Sequence, residues 1–140
     1  MERLVLDTNS LIQSLPVKSK YHDLWVSLFD GRNTFCVSNE ILEEYEEILQ
    51  RKTNHVLASR VISLILNNEF TSLVTPYFHF NLIEADTDDN KFVDCAVCGN
   101  AKFIVTEDHH FDILRQVSFP TVDILSLDEM MRHLESGDLL

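Results

Sequence analysis

The sequence predicts a single α/β domain with three layers, in which helices cover both faces of a mainly parallel sheet of about five strands. Short apolar runs, such as Leu4-Val5-Leu6 and Phe103-Ile104-Val105-Thr106, alternate with segments whose apolar residues recur at helical spacing. The length of 140 residues is that of one ordinary domain, and 45% of the residues are hydrophobic. Since a chain of this size buries most of its surface on folding, residues 1–140 are expected to form one domain without disulfides.

The first half of the chain predicts two buried strands with helices between them. Leu4-Val5-Leu6 contains no polar residue, which suits a strand that is covered on both faces. Ser38 precedes a segment with apolar residues on one helical face, so we expect its side chain to cap that helix. The elements expected here are a strand at 4–6, a helical turn at 10–14, a helix at 21–30, a strand at 34–37 and a helix from 38 through 49.

The second half continues the same alternation of helices and strands. Its expected elements are a helix at 55–67, a strand at 72–75, a loop with a helical turn at 76–87, a helix at 88–100, a strand at 103–106, a short helix at 110–115, a strand at 122–124 and a helix from 126 to about 135. Right-handed crossovers place the carboxyl ends of parallel strands on one edge of the sheet, where ligands bind in open α/β folds.

The charge balance restricts the functions that this chain can have. Eleven basic and 23 acidic residues give a net charge of −12. A chain this acidic cannot hold nucleic acid by bulk charge, because that mode of binding needs clustered Lys and Arg. A protein of this composition that handles a polyanion therefore needs a bound cation or a local basic patch.

The cysteines and the apolar runs indicate a cytoplasmic protein that does not enter a membrane. Three cysteines are an odd number without the spacing of a secreted framework, and no apolar run approaches the ~20 residues of a membrane helix. Cys95 and Cys98 lie in a predicted helix with no second pair, so we expect small buried side chains and no zinc site.

Acidic residues follow the two most apolar strands. Asp7 comes directly after the first strand, and Glu107 and Asp108 come after the strand at 103–106. On the helix expected at 88–100, Asp89 shares a face with the apolar residues three, four and seven positions later. Asp is also common in turns and helix caps, which is the alternative interpretation of each position. If these acids converge at one sheet edge, their mutual repulsion favours a bound divalent cation, and oxygen ligands suit Mg²⁺ or Mn²⁺.

A run of glutamates on the helix that follows Ser38 offers a further acid. Most of this run is expected to face solvent. Glu44 and Glu46 lie at opposite margins of the apolar stripe, so either could reach a neighbouring element, and geometry does not choose between them.

Four motifs in this order resemble the PIN-domain endoribonucleases, and in particular the branch of toxins from toxin–antitoxin systems. The resemblance spans nearly the whole chain. It is carried by Leu4-Val5-Leu6-Asp7-Thr8-Asn9, Val37-Ser38-Asn39-Glu40-Ile41-Leu42-Glu43-Glu44-Tyr45, Asp88-Asp89-Asn90-Lys91-Phe92-Val93-Asp94-Cys95-Ala96 and Ile104-Val105-Thr106-Glu107-Asp108-His109-His110-Phe111.

The resemblance implies hydrolysis of RNA phosphodiester bonds with Mg²⁺ or Mn²⁺, and it selects Glu44 over Glu46. The four acids that it assigns to metal binding and catalysis are Asp7, Glu44, Asp89 and Asp108. The auxiliary positions are Asn9, which the family uses to hold the turn after the first strand, together with Thr106, Asp94 and Asp88. The partners that it suggests are an RNA substrate, a small antitoxin protein and a second copy of the chain.

Two other functions are compatible with part of this pattern. An aspartyl-phosphate phosphatase also places an Asp at the end of its first strand, but it needs a second Asp where this chain has Asn9. A PIN-like domain that binds a protein without catalysis is the other alternative. His110 is expected to pack against or cap the short helix, and Lys91 to form a surface salt bridge.

Overall fold

The computed structural model describes residues 2–83, 87–116 and 121–138. Within them, five strands form one parallel sheet in the order β3-β2-β1-β4-β5, which confirms the predicted fold class. The strands are β1 (Glu2–Leu6), β2 (Asn33–Val37), β3 (Thr71–Leu73), β4 (Phe103–Val105) and β5 (Asp123–Leu125).

The helices connect the strands and supply the outer layers. They are α1 (Thr8–Ser14), α2 (His22–Ser27), α3 (Asn39–Lys52), α4 (His55–Asn67), α5 (Asn90–Cys98) and α6 (Leu127–Asp138), with 3₁₀ helices at Thr87–Asp89 and His109–Gln116. Ser38 caps α3 as predicted, because its hydroxyl accepts the N–H of Ile41. Ser126 and Glu129 form a capping box at α6, in which each side chain accepts the other residue's N–H. Among the described residues, no helix is long and apolar enough to span a lipid bilayer.

The main differences from the predicted elements lie at helix ends. The first helix begins at Thr8, two residues earlier than expected, because Asp7 accepts the N–H of Ser10 and so caps the helix. The helix α5 begins at Asn90 after a 3₁₀ turn, and residues 76–83 form neither helix nor strand. The remainder of the loop expected at 76–87, residues 84–86, and the proline expected before the last strand, at position 120, lie outside the described residues.

The central strands are covered on both faces, as their composition predicts. Leu4, Val5 and Leu6 of β1 are wholly buried, and so are Ile104 and Val105 of β4. The cysteines are free thiols; Cys36 and Cys95 are buried in this core and Cys98 is half-buried.

The strand order reverses between β1 and β4, and this reversal defines the position of the site. The chain passes from β1 to β2 and β3 on one side and then returns to β4 on the other. Leu6 is paired with Val105, so Asp7 and Thr106 leave the sheet side by side. The backbone N–H of Asp7 donates to the carbonyl of Val105 at 3.1 Å, which extends the strand pairing to the edge itself.

Candidate active site

Asp7 is the most deeply placed acid at this edge of the sheet. Its side chain is buried, and one carboxylate oxygen accepts the N–H of Ser10 at 2.8 Å. The other oxygen accepts the hydroxyl of Thr106. Burial raises the pKa of Asp7, the hydrogen bonds from Thr106 and Ser10 partly oppose that shift, and the nearby charge of Asp108 adds to it.

Thr106 links the acids at the ends of β1 and β4. Its Oγ1 donates to Asp7 and accepts the backbone N–H of Asp108 at 2.9 Å. The Oδ1 of Asp108 in turn accepts the backbone N–H of His110 at 2.8 Å. One hydroxyl group therefore links the carboxylate of Asp7 to the backbone of Asp108.

Glu44 reaches the same edge from α3. Its Oε2 accepts the hydroxyl of Thr8, the residue after Asp7, and its Oε1 lies 2.6 Å from the Nζ of Lys91 on α5. Glu46 lies elsewhere on α3 and accepts a long hydrogen bond of 3.5 Å from Gln50. The packing of α3 thus presents Glu44 to the first strand.

Tyr45 fixes the orientation of α3 beneath the acids. Its ring is wholly buried, and its hydroxyl donates to the carbonyl of Leu6 at 2.5 Å. Burial raises the pKa of Tyr45 well above its usual value, with added contributions from Cys95, Asp7 and Glu44. Because Tyr45 holds the last residue of β1, it places the adjacent Glu44 next to the turn that carries Asp7.

Asp89 lies at the end of the 3₁₀ helix that precedes α5, and it forms a group with Asp108 and His110. One ligand atom from each of the three residues lies within 4.8 Å of the others. The Nδ1 of His110 is 3.7 Å from the Oδ2 of Asp89 and 3.3 Å from the Oδ1 of Asp108. Asp89 is the N-cap residue of α5 by position, but its side chain makes no hydrogen bond that caps the helix.

The donor atoms at this edge fit a small divalent cation. Carboxylate oxygens are the preferred ligands of Mg²⁺ and Mn²⁺, and imidazole nitrogen is tolerated by the latter. Asp89, Asp108 and His110 could hold such an ion directly, with Asp7 next to Asp108. Both oxygens of Glu44 already have partners in Thr8 and Lys91, so this acid would reach an ion only by exchanging one of them.

The other predicted acids and Asn9 lie away from this group or face solvent. Asp94 is buried, but it accepts the N–H of Phe80 at 3.0 Å and contacts the Nδ1 of His79 at the same distance. Its carboxylate therefore anchors the segment before α5. Asp88 and Asn9 are exposed. The turn after β1 is held by hydrogen bonds of Asp7 and Thr8.

Three features of the site were not anticipated from the sequence. Thr8 binds Glu44, and His110 faces two acids in addition to lying in the short helix. The salt bridge expected of Lys91 exists, but its partner is a site residue and the pair is largely shielded from solvent. The sequence feature that could have pointed to Thr8 and His110 is their nearness to predicted acids. Thr8 follows Asp7 directly, and His110 comes two residues after Asp108.

Comparisons with known proteins agree with this architecture. A family model for the PIN domain matches residues 3–110, which include all four predicted acids. No match was found among curated protein sequences.

Solved structures with a similar fold come from bacteria and from a trypanosome. VapBC2 from Rickettsia felis, bound to a DNA fragment from its promoter, matches with a TM-score of 0.62 and 13% identity over 89% of this chain and 98% of that one. VapBC-1 from nontypeable Haemophilus influenzae matches with a TM-score of 0.62 and 16% identity over 90% and 98% of the two chains. The RRP44 PIN domain of T. brucei matches with a TM-score of 0.56 and 12% identity over 99% and 84%. At these identities the likeness shows a shared fold.

Proposed function

The chain belongs to the PIN-domain family, and from that premise we propose that it is a divalent-metal-dependent endoribonuclease and the toxin of a toxin–antitoxin pair. The observation that carries the proposal is the meeting of acids at the edge where the strand order reverses. Asp7 and Asp108 share Thr106, and Asp89 lies with Asp108 and His110 within 4.8 Å.

Each residue has a definable part in the proposed hydrolysis. A divalent cation held by these acids would lower the pKa of a bound water and offset negative charge on the phosphodiester. The hydrogen bonds of Asp7 to Ser10 and Thr106 fix its carboxylate, so little reorganisation is needed when a cation or a substrate arrives. Lys91 places a positive charge beside Glu44, which reduces the repulsion that an incoming phosphate meets.

The proposal of an RNA substrate and a toxin role is supported by the proteins whose structures resemble this chain. RRP44 supplies a PIN domain of similar structure, and VapBC assemblies pair a PIN-domain toxin with an antitoxin. For this chain we therefore propose RNA as the substrate in the cytoplasm, a small antitoxin protein as the partner that restrains it, and a homodimer as its assembly. A bound cation would also supply the positive charge that RNA binding needs in a chain whose net charge is −12.

The test is a comparison of two substrates under three metal conditions. The purified chain is incubated with labelled single-stranded RNA and with nitrophenyl phosphate, in Mg²⁺, in Mn²⁺ and in chelator. Cleavage of RNA at internal positions with either metal, and none in chelator, is the expected result. Hydrolysis of nitrophenyl phosphate with intact RNA would support the phosphatase alternative, and no turnover of either substrate would support a domain that only binds protein.

A further inference from the structure

The side chains of His110 and its neighbour His109 lie in different environments. The ring of His109 is 95% exposed, and its Nδ1 lies 3.3 Å from Asp112 on the same 3₁₀ helix. The ring of His110 is 44% exposed, and its Nδ1 lies between Asp89 and Asp108, which come from different parts of the chain. Two adjacent histidines thus have different environments, and only the second faces the acids of the site.

The Nδ1 of His110 lies near both acids without a short hydrogen bond to either. The Nδ1–oxygen distances of 3.3 and 3.7 Å are longer than the 2.7–2.9 Å typical of a charge-assisted hydrogen bond. Ligands that lie about 2.1 Å from a Mg²⁺-sized ion are about 3.0 Å apart when adjacent and about 4.2 Å apart when opposite. The distances of 3.3 and 3.7 Å lie between these two values, so small shifts of the three side chains would bring them onto one ion. All three ligand atoms already lie within 4.8 Å of one another.

The backbone also supports this placement. The N–H of His110 donates to the Oδ1 of Asp108 at 2.8 Å, while the N–H of Asp108 donates to Thr106. The short segment that carries Asp108 and His110 is therefore fixed to the end of β4. Asp89 approaches from the start of α5, so the three donors come from two segments of the chain and lie within 4.8 Å of one another. Asp108 and His110 remain partly exposed to solvent.

We propose that His110 is a nitrogen ligand of the divalent cation, together with Asp89 and Asp108. This inference rests on the proposed function and makes it more specific, because it replaces an all-oxygen site by a mixed one. Imidazole binds Mn²⁺ and later transition metals better than it binds Mg²⁺. The mixed donor set therefore selects Mn²⁺ over Mg²⁺.

The experiment measures the coordination of Mn²⁺ in the full chain by pulsed electron paramagnetic resonance, without any substrate. The wild type loaded with one equivalent of Mn²⁺ should show echo modulation from a directly bound ¹⁴N nucleus. The modulation should disappear in His110→Ala and in His110→Gln, and it should persist in His109→Ala, the matched control. Titration should show that His110→Ala weakens Mn²⁺ binding by at least about tenfold and Mg²⁺ binding by less.

The possible failures can be told apart. Bound Mn²⁺ without nitrogen modulation in the wild type, with binding that is lost in Asp108→Asn, would overturn the role of His110 and leave the metal-dependent nuclease intact. Absence of Mn²⁺ binding by the wild type would overturn both proposals. The wild-type spectrum tests whether nitrogen binds the ion, and the two His110 variants, each checked for folding by circular dichroism, test whether that nitrogen is His110. Nitrogen modulation that persists in both folded His110 variants would also overturn the role of His110.

Discussion

The Nζ of Lys91 lies 2.6 Å from the Oε1 of Glu44, and this ion pair joins α5 to α3 across the candidate site. The side chains are only 15% and 24% exposed, and the second oxygen of Glu44 accepts the hydroxyl of Thr8. The charge of Glu44 is therefore compensated by the protein itself. Asp89 and Asp108, by contrast, face each other and His110.

Replacing Lys91 by Met should destabilise the metal-free protein. The substitution keeps most of the aliphatic stem but leaves the partly buried carboxylate of Glu44 without its cationic partner. Because the pair retains some exposure, we expect a loss of about 1–2 kcal/mol in the free energy of unfolding, measured by urea denaturation in chelator. Lys102→Met is the matched control, since Lys102 is 55% exposed and lies 3.9 Å from Glu2. Equal stability of the two variants would show that the pair contributes nothing.

Replacing Asp7 by Asn should raise the melting temperature in chelator at pH 7. The pKa of Asp7 is raised above its ordinary value of 3.8 by burial, so the charged form disfavours the folded state at any pH above that raised pKa. Asn can still accept from Ser10 and donate to Thr106. As the pH falls through the raised pKa toward 3.8, the wild-type carboxyl becomes neutral and the difference between the two proteins should vanish. A difference that grows toward acid pH would contradict the assignment.

Replacing Asp89 by Asn should change the response to metal. One negative charge leaves the group that Asp89 forms with Asp108, so the metal-free variant should melt higher than wild type at neutral pH. Millimolar Mg²⁺ or Mn²⁺ should raise the melting temperature of the wild type by mass action, and that of Asp89→Asn by less. A lower metal-free melting temperature with an unchanged response to metal would instead make Asp89 a structural residue of the turn before α5.

Replacing Tyr45 by Phe should cost about 1–2 kcal/mol in the free energy of unfolding, because the buried carbonyl of Leu6 loses its hydroxyl donor. Since this hydrogen bond aligns α3 with the end of β1, nuclease activity should fall as well. Tyr77→Phe serves as the control, since Tyr77 is 75% exposed. A Tyr45→Phe protein that matches this control in both measurements would mean that the hydrogen bond does not position Glu44.

The strands and the strand-end acids could be predicted because their signals are local. An uninterrupted apolar run such as Leu4-Val5-Leu6 has few alternatives to a strand buried on both faces, and parallel pairing then brings Asp7 next to the end of β4. The sequence predicts Asp89 on a face of the helix at 88–100, but the residue lies in the 3₁₀ turn that precedes α5.

The predictions that were wrong or left undecided depend on contacts between distant parts of the chain. Glu44 and Glu46 flank the apolar stripe of α3 equally, and the choice is made by the contact of Tyr45 with Leu6. The helix α5 begins at Asn90, where the side chain binds both the N–H and the carbonyl of Ile83. Spacing along the helix contains no information about that partner.

The central claim is that the acids gathered at the β1–β4 edge cleave RNA with a divalent metal. The most direct measurement is the rate of cleavage of a labelled RNA in Mn²⁺ by the wild type, by Asp108→Asn and by Glu46→Gln, with each fold checked by circular dichroism. We predict a loss of about a hundredfold or more for Asp108→Asn, the scale of losing one contact to the transition state, and wild-type activity for Glu46→Gln. Equal rates for Asp108→Asn and the wild type would contradict the claim.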